Sequence, residues 1–219
     1  MEQQLCMIVG VGQKMGQAIS RAFAQDGFDM VLASRNPRNL EPYAEEAQKN
    51  GVSVLTEEID VTNPDSVAAC VDRVVERVGL PDVVIYNVAA IAEEKPSALT
   101  PEALLETLEA NLFGAMLLTQ AFLPKMRERA SGTLLYTGGG FGIDPSTTFT
   151  SHSLGKAALR NYVFALHKEL SPEGIHAATV TITRPVREGT EFDPDVIAAH
   201  YLALHREAAP DWRSEILHK

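Results

Sequence analysis

Short apolar runs alternate with amphipathic stretches from one end of the chain to the other. An uninterrupted apolar run is typical of a strand buried in a parallel sheet, and an apolar stripe at helical spacing is typical of a helix that covers such a sheet. The pattern predicts strands at residues 5–9, 30–33, 52–59, 82–86, 133–137, 177–182 and 215–217, and helices at 15–25, 40–49, 65–78, 101–129, 152–170 and 194–205. We therefore expect a doubly wound α/β fold, in which one parallel sheet of about seven strands carries helices on both faces.

The composition narrows the class of protein. The chain has 219 residues, with 19 Lys and Arg against 29 Asp and Glu, and its formal net charge of −10 argues against binding to a nucleic-acid backbone. No stretch approaches the roughly 18 uninterrupted apolar residues of a membrane span. Residues 1–4 lack the basic and apolar segments of a signal peptide. Cys6 and Cys70 lie in apolar contexts typical of reduced core thiols, so we expect a cytoplasmic protein without a nucleic-acid or membrane partner.

A glycine-rich turn lies directly between the first predicted strand and the first predicted helix. It has the spacing G-x-G-x-x-x-G, with glycines at Gly10, Gly12 and Gly16. A turn without side chains lets backbone N–H groups and a helix N-terminus contact the pyrophosphate of a dinucleotide. The predicted contacts include the intervening residues Gln13, Lys14 and Met15. The alternative is a glycine-rich turn that binds no ligand.

The residues after the second predicted strand indicate which dinucleotide to expect. A site that prefers NAD(H) carries Asp or Glu about 20 residues after the glycines, where the carboxylate binds the ribose hydroxyls. That position holds Ser34 and Arg35 here, and the nearest acid, Asp29, lies at the other end of the strand. Arg35 is suited to a bidentate contact with a 2′-phosphate, and Lys14 adds a second positive charge. We expect NADP(H) in preference to NAD(H), bound by a single Rossmann-type domain over residues 1–219; the alternative is two solvated surface cations.

Several segments match the motifs of one protein family. Gly10 and Gly16 match the first and last glycines of a T-G-x-x-x-G-x-G loop, in which Val9 and Lys14 replace the threonine and the middle glycine. Further matches are Asp60-Val61, Asn87-Val88-Ala89-Ala90, Asn111 and the segment from Pro185 to Thr190. These residues resemble the short-chain dehydrogenase/reductase family over essentially the whole chain. The resemblance implies that Asp60 and Val61 contact adenine, and that Asn87, Ala89, Pro185 and Thr190 also belong to the cofactor site.

The same resemblance places the catalytic set. The family's Y-x-x-x-K motif ends at Lys156, and counting back four residues reaches His152 instead of tyrosine. The position of the family's catalytic serine falls on glycine, at Gly139. The resemblance therefore implies an altered active site of Asn111, His152 and Lys156, in which Lys156 also holds the nicotinamide ribose. Either His152 replaces tyrosine in acid–base chemistry or it only occupies the position as a partly buried polar residue.

Other candidates near this motif have weaker support. Ser151 and Ser153 flank His152 and are possible carbonyl-orienting donors, and Tyr136 lies at the end of a predicted strand. Residues 93–95 are expected to form a solvated loop. His200 and His205 are five residues apart, which does not match the spacing of a helical zinc pair, so no metal is expected.

Two helical stretches are candidates for contacts between copies of the chain. Residues 110–123 and 154–170 are apolar on more than one face, which is typical of helices buried on more than one side. In the family that the chain resembles, the corresponding pair forms a dimer interface. We therefore expect a homodimer or a homotetramer.

Three functions remain open on the sequence. The first is an NADP(H)-dependent oxidoreductase that acts on a small-molecule carbonyl or alcohol. The second is a non-catalytic NADP(H)-binding protein, which serves as a sensor or scaffold. The third is a non-redox enzyme that reuses the cleft.

Overall fold

The computed structural model describes residues 3–219; Met1 and Glu2, part of the N-terminal segment considered above, lie outside the described residues. The strands are β1 (Leu5–Val9), β2 (Asp29–Ser34), β3 (Val54–Glu58), β4 (Val83–Tyr86), β5 (Gly132–Gly139), β6 (Ile175–Ile182) and β7 (Glu215–His218). The helices are α1 (Met15–Gln25), α2 (Glu41–Gln48), α3 (Pro64–Val78), α4 (Pro101–Leu108), α5 (Gly114–Arg129), α6 (Thr150–Leu170) and α7 (Pro194–His205).

The strands form one sheet in the order β3-β2-β1-β4-β5-β6-β7, and every neighbouring pair is parallel. The order runs outward from β1 in both directions, so the connection changes direction between β1 and β4. Val9, at the end of β1, lies opposite Ala33 of β2 and Tyr86 of β4. Sheets of this kind bind ligands outside the carboxyl ends of their strands at this point. The predicted doubly wound fold is confirmed.

Two apolar cores lie on opposite faces of the sheet. Buried side chains of α1, α2 and α7 pack on one face, and buried side chains of α3, α5 and α6 pack on the other. Successive residues of β1 alternate between the two cores, with Cys6 and Ile8 in one and Met7 and Val9 in the other. Both faces of the strand are therefore buried, which is why the strands appear in the sequence as uninterrupted apolar runs.

Local polar signals mark the helix starts. The Asn63 side chain accepts hydrogen bonds from the backbone N–H groups of Asp65 and Ser66, and Pro64 is the first helical residue. Asparagine supplies an acceptor to the free N–H groups, and proline has no N–H to leave unpaired. α3 consequently begins at Pro64.

The predicted helix over residues 101–129 is divided. α4 ends at Leu108, a π-helical segment follows over Glu109–Phe113, and α5 continues from Gly114. The segment contains no proline, and local sequence does not specify the change of hydrogen-bonding pattern. Asn111 lies within this segment. π-Helical turns in proteins are frequently found at functional sites.

Both cysteines are free and buried, Cys6 in β1 and Cys70 in α3, which confirms the prediction of reduced core thiols. Over residues 3–219, no helix has both the length and the apolar character needed to span a bilayer.

Candidate active site

A cavity of about 380 Å³ opens at the carboxyl ends of β1, β2 and β4. Its walls come from the glycine turn, from the end of β2, from the turn after β3 and from the loop after β4. Seven of the predicted cofactor residues line it: Gly10, Gly12, Ser34, Arg35, Asp60, Val61 and Ala89. The fold thus assembles one pocket from residues that are distant in sequence.

Gly10 allows the glycine turn to lie against the loop after β4. Its φ is +90°, and a Cβ there would lie 2.8 Å from Val88 Cγ2 and 2.9 Å from the carbonyl oxygen of Asn87. Asn87 Nδ2 donates to the Gly10 carbonyl at 2.8 Å, and Asn87 Oδ1 accepts from the Thr137 hydroxyl at 2.7 Å. Asn87 therefore connects the glycine turn to β5, and it is not among the residues that line the cavity.

The rest of the glycine turn divides into exposed and buried positions. Gln13 and Lys14 are exposed, whereas the side chain of Met15 and Gly16 are buried beneath the turn. Lys14 has φ 65° and ψ −107°, a backbone conformation that favours glycine. It lines a second cavity of about 260 Å³, together with Arg21, Glu188 and acidic residues at the start of α7. Lys14 and Arg35 thus line different cavities.

Arg35 is the basic residue in the lining of the 380 Å³ cavity. Its neighbour Asp60 accepts hydrogen bonds from the backbone N–H and the hydroxyl of Thr62, at 3.0 and 2.8 Å. These bonds, and then the charge of Arg35, lower the pKa of Asp60. None of the ion pairs within residues 3–219 includes Arg35. Asp29 lies at the far end of β2, where it accepts from the Ser53 N–H.

His152 and Lys156 lie one turn apart on α6 and therefore project from the same face of the helix. Lys156 is buried, and its Nζ donates to the Thr137 carbonyl at 2.7 Å. Burial lowers the pKa of Lys156 to about 8. His152 is also buried, and its Nδ1 lies 3.0 Å from the Ala90 carbonyl oxygen. Burial and the Lys156 charge lower the pKa of His152, and the Ala90 carbonyl opposes them.

Asn111 completes this cluster from the π-helical segment. It is fully buried, its Oδ1 accepts from the Ala90 N–H at 2.7 Å, and its Nδ2 donates to the Ala90 carbonyl at 2.8 Å. The three predicted catalytic residues therefore lie close together, and two of them, Asn111 and His152, contact the same peptide group at Ala90. Ala90 also lines the 380 Å³ cavity, which joins the cluster to the predicted cofactor pocket.

Gly139 lies at the end of β5 beside this cluster. A Cβ there would lie 3.4 Å from Lys156 Cγ and 3.6 Å from Lys156 Cδ, which are ordinary van der Waals distances. The glycine thus leaves space next to the Lys156 side chain.

The hydrogen-bond partners of the weaker catalytic candidates distinguish them from one another. Ser153 Oγ donates to the Phe149 carbonyl and accepts from the Ser146 N–H, so this hydroxyl serves the turn before α6. The Tyr136 hydroxyl lies 2.6 Å from Thr119 Oγ1 in the core, so Tyr136 is a packing residue. Ser151 Oγ is buried and has no hydrogen-bond partner among the described residues.

Two functional features were missed in the sequence. Glu94, expected to be solvated, accepts from the Ser151 N–H at 2.7 Å and so caps the start of α6. Its backbone also pairs with the segment before the helix, where its N–H donates to the Thr148 carbonyl. A carboxylate satisfies the free N–H groups at a helix start. No local signal identifies Glu94, because it lies about 57 residues before its partner.

The second missed feature is an aromatic wall beside His152. The Phe141 ring meets the His152 ring edge-on, with centroids 6.2 Å apart, and packs against the Phe149 ring at 6.0 Å. Phe141 is 41% exposed, so one side of the ring remains open to solvent. The neighbourhood of His152 is apolar on this side.

The predicted cofactor residues Pro185 and Thr190 are exposed and are not part of the cavity lining. Thr190 Oγ1 donates to the Arg187 carbonyl and accepts from the Phe192 N–H. The structure therefore assigns Thr190 a role in shaping the turn before α7.

His200 and His205 have different hydrogen-bond partners. His200 Nε2 lies 2.9 Å from His218 Nδ1, and His205 Nδ1 lies 2.9 Å from Thr133 Oγ1.

Comparisons with known proteins identify a family. The family of short chain dehydrogenases matches residues 4–188. An uncharacterized oxidoreductase of Staphylococcus aureus is 26% identical over 178 residues, which cover 81% of this chain and 76% of that protein. A related protein of Staphylococcus epidermidis is 24% identical over 194 residues, covering 87% and 83%.

Solved structures share the fold. The alcohol dehydrogenase of the archaeon Thermococcus sibiricus, complexed with 5-hydroxy-NADP, superposes with a TM-score of 0.88 at 25% identity and covers 99% of this chain and 96% of that chain. A short-chain dehydrogenase from Rhodopseudomonas palustris superposes with a TM-score of 0.88 at 22% identity, covering 99% and 98%. The sequence match over residues 4–188 and the shared parallel sheet lead to one conclusion: the chain belongs to the short-chain dehydrogenase family.

Proposed function

We propose that this protein is an NADP(H)-dependent oxidoreductase that interconverts a carbonyl and an alcohol, with His152 in the position at which the family's motif has tyrosine. One observation carries the proposal. The cluster of Asn111, His152 and Lys156 meets the 380 Å³ cavity at Ala90, which belongs to both. The cluster therefore lies directly beside the pocket that is lined by the predicted cofactor residues.

The glycine turn fits a dinucleotide pyrophosphate. A Cβ at Gly12 would meet nothing within 4 Å, so the turn is open to a ligand at this point. Lys14, which precedes α1, makes no side-chain hydrogen bond to the first turn of the helix, so the free N–H groups there are available to an anion. When bound, a nicotinamide donates or accepts the hydride.

Arg35 supports the preference for NADP(H). Its guanidinium lines the cavity beyond β2 without an ion-pair partner among the described residues, and it is suited to a 2′-phosphate. The Thermococcus sibiricus alcohol dehydrogenase, which shares the fold at 25% identity, was solved with an NADP derivative. Asp60 lies in the same cavity and is the group expected to contact the adenosine.

Lys156 and His152 act on the reacting centre. The Lys156 ammonium, held by the Thr137 carbonyl, is positioned to hold the nicotinamide ribose and to disfavour a second positive charge on His152. His152 exchanges a proton with the substrate oxygen. Phe141, which packs against Phe149, covers one side of the imidazole.

Calorimetric titration with NADPH and with NADH tests the cofactor assignment. Arg35→Ala should weaken NADPH binding by about 1.5 kcal/mol and should leave NADH binding unchanged. This value is at the lower end for a charge-assisted hydrogen bond, because the Arg35 side chain is exposed. Arg38→Ala, an exposed arginine that is not part of the cavity lining, is the matched control and should behave as wild type. Absence of binding by either nucleotide would overturn the proposal. Tight NADPH binding without turnover of any carbonyl would favour the non-catalytic alternative.

We also propose that the protein is a homodimer or homotetramer through residues 110–123 and 154–170. Two large apolar side chains are exposed there: Phe113 and Leu154. Light scattering at micromolar concentration tests this proposal. A particle of 23.8 kDa, the mass of one chain, would refute it.

A further inference from the structure

One hydrogen bond determines which nitrogen of His152 carries the proton. His152 Nδ1 lies 3.0 Å from the Ala90 carbonyl oxygen, and a carbonyl oxygen only accepts hydrogen bonds. Nδ1 must therefore be the protonated nitrogen. In the neutral imidazole, Nε2 then carries a lone pair and accepts a proton instead of donating one.

Asn111 holds this carbonyl in place. Its amide group forms two hydrogen bonds to the Ala90 peptide, accepting from the N–H at 2.7 Å and donating to the carbonyl at 2.8 Å. The Ala90 oxygen thus accepts from Asn111 and from His152 and uses both of its lone pairs. The Ala90 peptide cannot rotate without breaking both hydrogen bonds to Asn111. Asn111 is fully buried, so water is not available to replace them.

The same loop is also attached to the start of α6. The Glu94 carboxylate accepts from the N–H of Ser151, the residue that precedes His152 in the helix. Ala90 and Glu94 thus connect the loop after β4 to α6 at two points, one through the His152 side chain and one through the Ser151 backbone. The distance between the imidazole and its carbonyl acceptor is therefore set by tertiary contacts on both sides.

The charges around His152 favour the neutral ring. Lys156, on the same helix, opposes protonation of the imidazole, as does burial. On the loop after β4, the Glu94 carboxylate accepts a hydrogen bond from the Ser151 N–H. The π-helical segment contributes the uncharged Asn111, and the segment after β5 contributes the apolar Phe141.

We infer that His152 Nε2 is the proton acceptor in alcohol oxidation and that Asn111 is its positioning residue, acting through the Ala90 carbonyl. This inference rests on the proposed function. The O–H bond of the alcohol breaks, its proton goes to Nε2, and the electron pair left on oxygen forms the carbonyl π bond. Oxidised nicotinamide, when bound, would accept the hydride of the carbinol carbon. The reverse reaction requires the imidazolium form, which the surroundings of His152 disfavour at neutral pH.

Nitrogen NMR of histidine reads the tautomer without any turnover. In ¹⁵N-histidine-labelled protein, long-range ¹H–¹⁵N correlations should show His152 above its pKa with a protonated Nδ1 and an unprotonated Nε2. A His152→Gln variant identifies its signals among the six histidines. A protonated Nε2 in the wild-type protein would overturn the inference.

Substitution of Asn111 tests the positioning role. Asn111→Ala should introduce the second tautomer into the His152 signals and lower kcat for alcohol oxidation on the order of 10-fold to 100-fold, because a small displacement of a catalytic group costs this much. Thr107→Val is the matched control. Thr107 is buried one turn before Asn111, and its hydroxyl donates to the Ala103 carbonyl, so both readouts should stay at wild-type values. An Asn111→Ala protein with the wild-type tautomer and kcat would refute the role of Asn111.

The pH profile tests the direction of the reaction. With NADP⁺ and 2-propanol, cyclohexanol or benzyl alcohol as probes, oxidation should rise with pH through one ionisation below the usual histidine range. It should then level off until Lys156, whose pKa is about 8, begins to lose its charge. Carbonyl reduction should fall over the same range. Oxidation that does not change with pH in this range, or that requires the protonated form, would overturn the base role. Failure of nucleotide binding in calorimetry would instead refute the proposed function, and the NMR result separates the two cases.

Discussion

Two adjacent glycines at the end of β5 should respond very differently to the same substitution by serine. A Cβ at Gly138 would lie 2.6 Å from Thr181 Oγ1 and 2.7 Å from Thr179 Oγ1, closer than real Cβ contacts. Both hydroxyls are engaged, because Thr181 donates to Glu215 Oε1 and Thr179 donates to the Tyr136 carbonyl. They cannot move away without losing a hydrogen bond.

The cost of Gly138→Ser follows from these contacts. Overpacking in a filled interior costs about 1–3 kcal/mol, and a lost hydrogen bond adds about 1 kcal/mol. For a chain of this size each kcal/mol lowers Tm by roughly 2–4 °C. Gly138→Ser should therefore lower Tm by roughly 5–15 °C.

Gly139→Ser is the matched control for stability and the test for function. Its Cβ would meet only methylene groups of Lys156, at 3.4–3.7 Å, so the free energy of unfolding should change by less than about 1 kcal/mol. If Gly139 occupies the position of the family's serine, the new hydroxyl adds a donor near the substrate carbonyl. Removal of one such donor costs about 10²–10³-fold in other enzymes, and we expect a gain of at least about 10-fold in kcat for NADPH-dependent reduction.

Scanning calorimetry and initial-rate assays on both variants decide the matter. Equal losses of Tm, or a larger loss for Gly139→Ser, would refute the conclusion that Gly138 is the more crowded of the two positions. A stable Gly139→Ser protein with unchanged kcat would show that Gly139 is not the position of the missing serine.

Three further substitutions test separate features. Lys14→Gly should raise the free energy of unfolding by about 1 kcal/mol, because lysine is strained at φ 65° and ψ −107°; a lower midpoint in urea denaturation would contradict this strain. Glu94→Ala should lower stability by about 1 kcal/mol through loss of the cap on the Ser151 N–H, and should speed amide exchange at the start of α6; unchanged exchange there would refute the capping role. Tyr136→Phe should cost about 0.5–1.5 kcal/mol through loss of its hydrogen bond to Thr119, measured by thermal unfolding, and an effect on kcat would contradict its role in packing.

Much of the fold could be predicted because its signals are local. Continuous apolar runs mark the strands, since both faces of the sheet are covered and no polar alternation is needed. Asn63 and Pro64 mark the start of α3 through their own backbone chemistry. The four-residue spacing of His152 and Lys156 places them on one face of α6 by helix geometry alone.

The position of the glycine turn could also be predicted from the sequence. A turn between the first strand and the first helix must lie at the carboxyl edge of the sheet, and residues that follow other parallel strands reach the same edge. Gly10, Arg35 and Asp60 therefore meet in one cavity, as the sequence predicts. Lys14 lines the neighbouring cavity beside the acidic turn before α7.

Taken alone, then, the sequence determined the order of strands and helices, the edge of the sheet at which a ligand binds, and the pairing of His152 with Lys156 on one helix. Only the tertiary structure decided the π-helical turn that directs Asn111 onto Ala90, and the cap that Glu94 provides to α6. The physical reason is the range of the forces involved. Helix periodicity and capping act over a few residues, whereas the hydrogen bonds of Ala90 and Glu94 join groups that are 21 to 62 residues apart and form only when the packed sheet brings them together.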